Sequence, residues 1–527
     1  MQPVSQLTSY PVSQFAIVAA VPNYGFAIDL RKCIGCHACT IACKSEHDIP
    51  VGANRCWVKT VERGSFPQTQ RLFLPVLCNQ CEDAPCMEIC PTSALFRRRD
   101  GIVDLTGDSC IGCRACMAAC PYDQLFIDPN TRTAEKCNFC ANRVENKLEP
   151  ACVSVCPTEC RIFGDLDDPS SEVAQIVQRE AFMVRKPEKG TGPKVFYLGA
   201  DEATMRPEIA TRPFMFKEGQ VHLRPLGAAD PDPERPGDAR VDYDVPHKQA
   251  WGFDLALYLL FKGISTGAMF LSALLWLMGD RSALVGVGGP LISVLFAMAT
   301  AVVLVIDLER PERFYYILTR PNWSSWLARG AFIITGHSAI ASLWVLCYWM
   351  GWTEMLAWMA PAAMLLALGA TIYTGFLFAQ GLARDLWQGP HNTIDLMVQA
   401  AAEGSASLLL AAAIMGAPAG TVRVLALTLA FSALAHLTIL LLENVFTRSS
   451  TLNHKLAVRA ISRGAYSRLF WTGAIGLGCV MPLLLVSIAA ASAFPLTLVI
   501  PAALVALAGG FAWEYIWVDA GQSVPNS

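Results

Sequence analysis

Sixteen cysteines in the first third of this chain fall into four groups of four. Intervals of two residues within a group let a turn of backbone wrap one corner of an iron–sulfur cubane, and a fourth cysteine three residues further on ligates a neighbouring cluster. The spacing therefore predicts four 4Fe–4S clusters, each held by cysteine alone. The groups are Cys33-x2-Cys36-x2-Cys39-x3-Cys43, Cys78-x2-Cys81-x4-Cys86-x3-Cys90, Cys110-x2-Cys113-x2-Cys116-x3-Cys120 and Cys137-x2-Cys140-x11-Cys152-x3-Cys156.

Zinc and disulfides explain this pattern less well. Zinc takes two separated CxxC pairs, but three of the groups have a third cysteine close behind. Disulfides need an oxidising compartment and more open spacing. Spacing leaves open which groups share clusters. Cys56 and Cys160 lie outside the pattern and are predicted to be buried free thiols. Cys347 and Cys479 lie inside apolar stretches further along the sequence and are predicted to be packing residues.

The composition shows that the chain has two parts, a cysteine-rich N-terminal part and an apolar C-terminal part suited to a membrane. Of the 527 residues, 53% are hydrophobic and 16% are charged, against about 25% charged in globular proteins. The net charge of −3 argues against nucleic-acid binding. Residues 1–25 read as a leader without a clear export signal, 26–200 as an α+β ferredoxin-like domain of two double-cluster modules, 201–248 as a tether with little regular structure, and 249–520 as an all-α membrane bundle.

About eight apolar stretches in the second half are long enough to cross a bilayer as helices, which needs about 20 residues each. They lie near 252–278, 284–307, 324–350, 355–379, 393–416, 423–446, 469–491 and 496–518. Ionisable residues inside such spans are costly and mark functional sites or helix pairing. The candidates for a quinone site or a proton path are Lys262, His337, Tyr373, His391, Glu403 and His436.

The cysteine-rich half resembles the iron–sulfur subunits of the dimethyl sulfoxide, polysulfide and tetrathionate reductase family. The resemblance rests on Tyr24-Gly-Phe-Ala-Ile-Asp-Leu-Arg-Lys-Cys33, Cys78-Asn-Gln-Cys81, Cys120-Pro-Tyr-Asp123 and Lys136-Cys-Asn-Phe-Cys140. It implies that the first group pairs with the fourth, and the second with the third. The implied ligand sets are Cys33, Cys36, Cys39 and Cys156; Cys43, Cys137, Cys140 and Cys152; Cys78, Cys81, Cys86 and Cys120; and Cys90, Cys110, Cys113 and Cys116.

The membrane half resembles the NrfD-like family of polysulfide reductase membrane subunits. The resemblance rests on Asp307-Leu-Glu-Arg-Pro-Glu-Arg-Phe314 and Pro321-Asn-Trp-Ser-Ser-Trp-Leu-Ala-Arg-Gly330. It implies exchange of electrons with the quinone pool and a separate large catalytic subunit that depends on molybdopterin. No haem is expected: Cys33-Ile-Gly-Cys36-His37 fits a haem-attachment motif, but both cysteines belong to a four-cysteine group. Two alternatives remain, namely electron delivery to a multihaem cytochrome and proton translocation through Glu403 and His436.

The loop charges predict the orientation of a multi-pass protein in a bacterial inner membrane. With eight spans, both ends of the chain lie on one side. Lys and Arg near the spans number ten on the iron–sulfur side and two, Arg281 and Arg423, on the other, which places the iron–sulfur domain in the cytoplasm. Docking contacts by Arg310 and Arg313 are an alternative reason for part of this bias. The ten are Lys248, Arg310, Arg313, Arg320, Arg384, Arg448, Lys455, Arg459, Arg463 and Arg468.

Overall fold

The N-terminal half is a small α+β domain in a computed structural model that describes residues 21–210, 239–447 and 449–527. One sheet has the order β8-β1-β10-β9, in which β1 is parallel to β10, and a second has the order β11-β2-β3. Two hairpins, β4–β5 and β6–β7, complete the strands. The strands are β1 Tyr24–Asp29, β2 Cys56–Arg63, β3 Gln70–Leu77, β4 Leu95–Arg97, β5 Val103–Leu105, β6 Phe126–Ile127, β7 Ala134–Glu135, β8 Arg161–Asp165, β9 Phe182–Met183, β10 Val195–Leu198 and β11 Ala239–Tyr243.

A short helix follows or contains part of each cysteine group. The turns before α1 and α3 repeat one backbone pattern, with a left-handed glycine followed two residues later by a left-handed His37 or Arg114. Helix α1 packs against α5, and α2 packs against α3. The first group is thereby joined to the fourth and the second to the third, as two modules. The helices are α1 Ala38–Glu46, α2 Pro85–Ile89, α3 Ala115–Ala119, α4 Ala141–Val144, α5 Ala151–Ser154, α6 Glu172–Arg179 and α7 Glu202–Met205.

The segment 201–248 is more regular at its described ends, 201–210 and 239–248, than its composition indicates. Helix α7 and strand β11 both lie within it, so the prediction of little regular structure is wrong for these residues. Ala239 and Val241 are buried against Val61 and Ala203, which explains why this end of the segment adds a strand to the edge of β2. The predicted leader lies outside the described residues, except for its last five, of which Tyr24 and Gly25 begin β1.

In the described part of the membrane half, eight helices are long and apolar enough to span a bilayer, which confirms the predicted bundle. Each span agrees with its apolar stretch to within a few residues, because lipid requires both length and internally bonded backbone. In order, the spans are Phe253–Leu277, Leu284–Ile306, Trp326–Trp349, Thr353–Ala379, His391–Met415, Ala419–Phe446, Leu469–Ala490 and Leu496–Gly521.

The spans form two four-helix bundles. The first to fourth pack in a closed ring, and so do the fifth to eighth. The first span joins the two rings because it also contacts the fifth and eighth spans. Gly267 and Gly404 lie at the crossing of the first and fifth spans, where a Cβ on Gly404 would overlap the backbone of Gly267. Small residues of this kind allow close helix approach in lipid, where packing replaces the hydrophobic effect.

The loop between the second and third spans fastens the two halves together. The backbone nitrogens of Glu309 and Arg310 donate to the carbonyls of Gly112 and Ile111 over 3.3 and 3.2 Å. Arg313 donates to the Cys110 carbonyl over 3.0 Å. Gly112 has a φ of +70°, and a Cβ there would come within 3.1 Å of the Glu309 backbone. Only glycine meets both conditions.

Candidate iron–sulfur sites and a buried polar chain

The structure brings Cys33, Cys36 and Cys39 together with Cys156 around one cavity near the surface. Three of these cysteines come from the first group and the fourth comes from the last group. The side chain of Cys36 is exposed. This arrangement matches the crossed set implied by the resemblance.

A second cavity is lined by Cys90 from the second group and by Cys110, Cys113 and Cys116 from the third. This cavity faces the membrane half. Trp251, which closely precedes the first span, donates its indole N–H to the Cys113 carbonyl over 3.2 Å. Asn322, from the docking loop between the second and third spans, donates to the Cys90 carbonyl over 2.8 Å. The third group therefore lies at the membrane-facing end of the domain.

Cys43 belongs with the last group rather than with its own sequence neighbours. Burial and the adjacent Cys152 and Cys140 thiols raise the pKa of Cys43 to about 12. Burial also raises the pKa of Cys137, and the nearby Cys43 thiol adds to that effect. These four cysteines form one set.

Cys120 likewise lies with the cysteines of another group rather than with its own. Burial, and then Cys78, raise the pKa of Cys120 to about 12. The pKa of Cys81 is raised to about 12 by burial and by Cys78 and Cys120, and Cys86 has the same two neighbours. Cys78, Cys81 and Cys86 of the second group therefore form one set with Cys120.

Contacts between sets put the four in a single order. Cys39 of the surface set neighbours Cys152 of the next set. Cys137 of that set neighbours Cys78 of the third. Cys86 of the third neighbours Cys116 of the membrane-facing set. The order runs from the exposed Cys36 to the docking loop of the membrane half.

The donor sets suit iron–sulfur clusters. Burial raises the pKa of thiols such as Cys43, Cys81 and Cys120, and such thiols ionise more readily beside a cation, a charge that bound iron would provide. In the ranges that the structure describes, no three Cys, His, Asp or Glu side chains converge closely enough to hold one metal ion. In a cluster, each iron takes its own cysteine instead.

Cys56 and Cys160 are buried, as predicted, but both lie beside the surface set. The sulfur of Cys160 is 3.5 Å from that of Cys156. The thiols of Cys56 and Cys39 share a hydrogen bond. Cys347 and Cys479 are fully buried in the third and seventh spans.

In the membrane half, Lys262 lies beside two of the other predicted candidates, Tyr373 and Glu403. Its ammonium donates to the Thr374 hydroxyl over 2.6 Å and lies over the ring of Tyr373 at 5.8 Å. The Tyr373 hydroxyl is hydrogen-bonded to that of Tyr258. Glu403 interacts electrostatically with Lys262 and completes the group.

Two further acids and a histidine extend this group. Glu514 of the eighth span interacts with Glu403 and Lys262. Asp395 lies 2.6 Å from Nδ1 of His436 and accepts from Gln399 over 2.8 Å. All of these side chains are buried. Asp395 also interacts electrostatically with Glu403 and Glu514, so the predicted His436 belongs to the same polar chain.

The remaining two candidates lie outside the Lys262 group, although His391 interacts electrostatically with Asp395. Nε2 of His391 is 2.9 Å from Glu443 at the iron–sulfur end of the fifth span, and the His391 side chain is 39% exposed. Nε2 of His337 lies 3.1 Å from the hydroxyls of Ser265 and of Ser293, inside the bundle of the first four spans. His337 does not join the Lys262 group.

Sequence reasoning missed part of this polar chain as site residues. His391, Asp395, Gln399 and Glu403 recur every four residues, which places them on one helix face. That period is visible in the sequence and could have identified Asp395 and Gln399. Glu514 lies outside this repeat, but an acid inside the apolar stretch 496–518 is the same signal that marked the other candidates.

Comparison with known proteins agrees with both halves. The family model described as "Polysulphide reductase, NrfD" matches residues 244–526, and that described as "4Fe-4S dicluster domain" matches residues 69–166. A subunit of the tetrathionate reductase of Salmonella typhimurium is 45% identical over 201 residues, which is 37% of this chain and 80% of that protein.

Two further relatives cover the same half. One component of the polysulfide reductase of Wolinella succinogenes is 42% identical over 179 residues, 33% of this chain and 94% of that protein. The arsenate respiratory reductase iron-sulfur subunit of Shewanella sp. is 36% identical over 222 residues, 33% of this chain and 95% of that protein.

These matches confirm the resemblance of each half and an electron-transfer role in reductase complexes. The chain binds iron–sulfur clusters and is a multi-pass membrane protein. It belongs to the polysulphide reductase NrfD family, with the membrane domain and an iron–sulfur reductase subunit joined in one polypeptide.

Proposed function

We propose that this chain passes electrons between membrane quinone and a separate catalytic subunit through four 4Fe–4S clusters. The observation that supports it is the single order of four cysteine sets, from exposed Cys36 to the docking loop of the membrane domain. When bound, such clusters supply one-electron carriers. The proposed ligands are Cys33, Cys36, Cys39 and Cys156; Cys43, Cys137, Cys140 and Cys152; Cys78, Cys81, Cys86 and Cys120; and Cys90, Cys110, Cys113 and Cys116.

The proposed quinone site is the group around Lys262 and Tyr373. Reduction of a quinone needs hydrogen-bond donors at its carbonyls and a supply of protons. The Lys262 ammonium and the paired hydroxyls of Tyr258 and Tyr373 supply donors. Glu403 and its neighbours continue the polar chain toward His436 and provide groups that exchange protons. His391 is proposed as the entry of this polar chain from water, and His337 remains a candidate without a contact to it.

The proposed partner is a large catalytic subunit, and the resemblance favours one that contains molybdopterin. The names of the relatives describe parts of tetrathionate, polysulfide and arsenate reductases. Next to Cys36, the apolar side chains of Ile34 and Ile41 are 59% and 64% exposed. Exposed apolar surface next to the outermost cysteine set suits a protein interface at which electrons leave or enter.

Purified protein tests the function. Four cubanes imply about sixteen irons and sixteen sulfides per chain. Addition of a quinol should then reduce the clusters, followed by their absorbance and EPR signals. Protein with zinc and negligible acid-labile sulfide contradicts the cluster assignment. Fully loaded clusters that no quinol reduces, while dithionite does, contradict the quinone assignment.

The iron–sulfur domain is proposed to lie in the cytoplasm. Three of the ten counted positive residues, Arg310, Arg313 and Arg384, bond to the iron–sulfur domain and so have a structural reason to be basic. Arg448 lies outside the described residues. Four others in the loop before the seventh span still outnumber the two on the far side, which supports the orientation. These four are Lys455, Arg459, Arg463 and Arg468.

An epitope inserted in the β2–β3 turn tests this orientation. Phe66 in that turn is 92% exposed, so an insertion there should be tolerated and accessible. We expect antibody binding to inverted membrane vesicles and none to intact spheroplasts. Binding to intact spheroplasts would place the domain outside. The turn is a better position than Ser527, whose side chain is buried against His247.

A further inference from the structure

A buried arginine lies between the two outermost cysteine sets. Arg161, the first residue of β8, follows Cys160 directly and is 2% exposed. It lines the cavity of the surface set. It also interacts with Cys152 of the next set. Its guanidinium therefore lies close to both positions.

Protein groups leave much of this guanidinium unsatisfied. Nη2 donates to the sulfur of Cys56 over 3.2 Å. Among the residues that the structure describes, Nε and Nη1 have no hydrogen-bond partner. A buried cation without a carboxylate is costly unless another negative group compensates it. The thiolate sets on either side are the negative groups within reach.

We propose that Arg161 raises the reduction potentials of the two outermost clusters and thereby stabilises an electron at the exposed end of the series of clusters. This inference rests on the proposed cluster ligation. A cluster with four thiolates is negatively charged and becomes more so on reduction, so a fixed cation stabilises the reduced form. Net charge and hydrogen bonds near the sulfurs are established determinants of cluster potential.

Cys56 holds the arginine in place. Its sulfur accepts from Arg161 and its thiol is hydrogen-bonded to Cys39. Cys56 thus links the arginine to a ligand of the surface set. This contact gives a positioning role to a cysteine that the spacing pattern leaves outside the ligands.

Redox titration followed by EPR tests the proposal. We expect Arg161→Met to lower the ratio of reduced to oxidised outer cluster at a fixed potential by about tenfold, which is ~59 mV for a one-electron couple. Arg161→Lys keeps the charge and should retain most of the potential. The outer cluster is the signal that Cys36→Ala removes. Arg179→Met, at an exposed arginine, is the matched control and should change nothing.

An unchanged outer-cluster potential in iron-replete Arg161→Met would overturn the proposal. An equal fall in the methionine and lysine variants would do so too, because charge would then not be the cause. If Arg161→Met loses iron, iron-replete Arg161→Gln must show the same fall in the outer-cluster potential. The titration uses chemical mediators, so its result is separate from any failure of the quinone assignment.

Discussion

Lys262→Met should slow quinol-driven reduction of the clusters about a hundredfold, while the iron content stays unchanged. The ammonium is buried, donates to Thr374 and lies over the rings of Tyr258 and Tyr373. Its removal deletes a positioned donor of hydrogen bonds and protons from the proposed quinone site. Proton transfer by positioned groups typically contributes 10²–10⁴-fold, so an effect of roughly this size is expected.

Tyr373→Phe and His391→Ala should also slow the reaction. The first removes a hydroxyl that pairs with Tyr258, and the second removes the partly exposed end of the polar chain. Stopped-flow measurement of cluster reduction by quinol would give the rates. Dithionite reduction should be unchanged in all these variants, which separates a damaged quinone site from damaged clusters.

Two variants on the opposite face serve as controls. Tyr348 lies near the far end of the third span, packed against Trp276, and Arg423 lies near the start of the sixth span on that side. Tyr348→Phe and Arg423→Ala should leave the rate unchanged. If these variants were the slow ones, the quinone site would lie on the opposite face of the membrane.

The spans were predictable because lipid imposes one strong rule on the sequence. Each helix must be apolar for about 20 residues and bond its own backbone, and the eight stretches satisfy that rule without tertiary information. Strand β11 was not predictable in the same way. Its alternation of buried and exposed residues is only five residues long. It forms a strand because it pairs with the edge of β2, which is distant in sequence.

The cysteine groups were recognisable, but their spacing did not decide the sharing of clusters. The structure places Cys43 with Cys152 and Cys120 with Cys78, because α1 packs on α5 and α2 on α3. That pairing depends on tertiary packing, which no local interval encodes. Before the fold was known, only the family resemblance implied it.

The docking loop shows how one segment can carry two signals. Arg310 and Arg313 count as positive residues beside the spans, and both donate to carbonyls of the iron–sulfur domain. A charge count cannot separate orientation in the membrane from contact with a folded partner. Similarly, the ionisable residues of the fifth span were visible, but only the fold unites Glu403 with Glu514 and Lys262.

Cys120→Ala should damage the cluster of the second cysteine group and leave that of the third intact. Cys120 follows the third group in sequence, but its thiol neighbours Cys78, and those of Cys81 and Cys86 neighbour it in turn. Removing one of four ligands should cost up to about four of the sixteen irons. Because this set is third in the order from the surface, the break should also stop electrons from reaching the two outer clusters.

EPR of matched variants decides between the crossed and the local arrangement. The signal altered in Cys120→Ala should be the one altered in Cys81→Ala, and a different signal should change in Cys113→Ala. Cys347→Ala, at a buried cysteine of the third span, should keep the full iron content and every signal. If Cys120→Ala and Cys113→Ala altered the same signal, the third group would hold its own cluster. The proximity of Cys86 and Cys116, which links the third set to the membrane-facing set, would then join two locally ligated clusters.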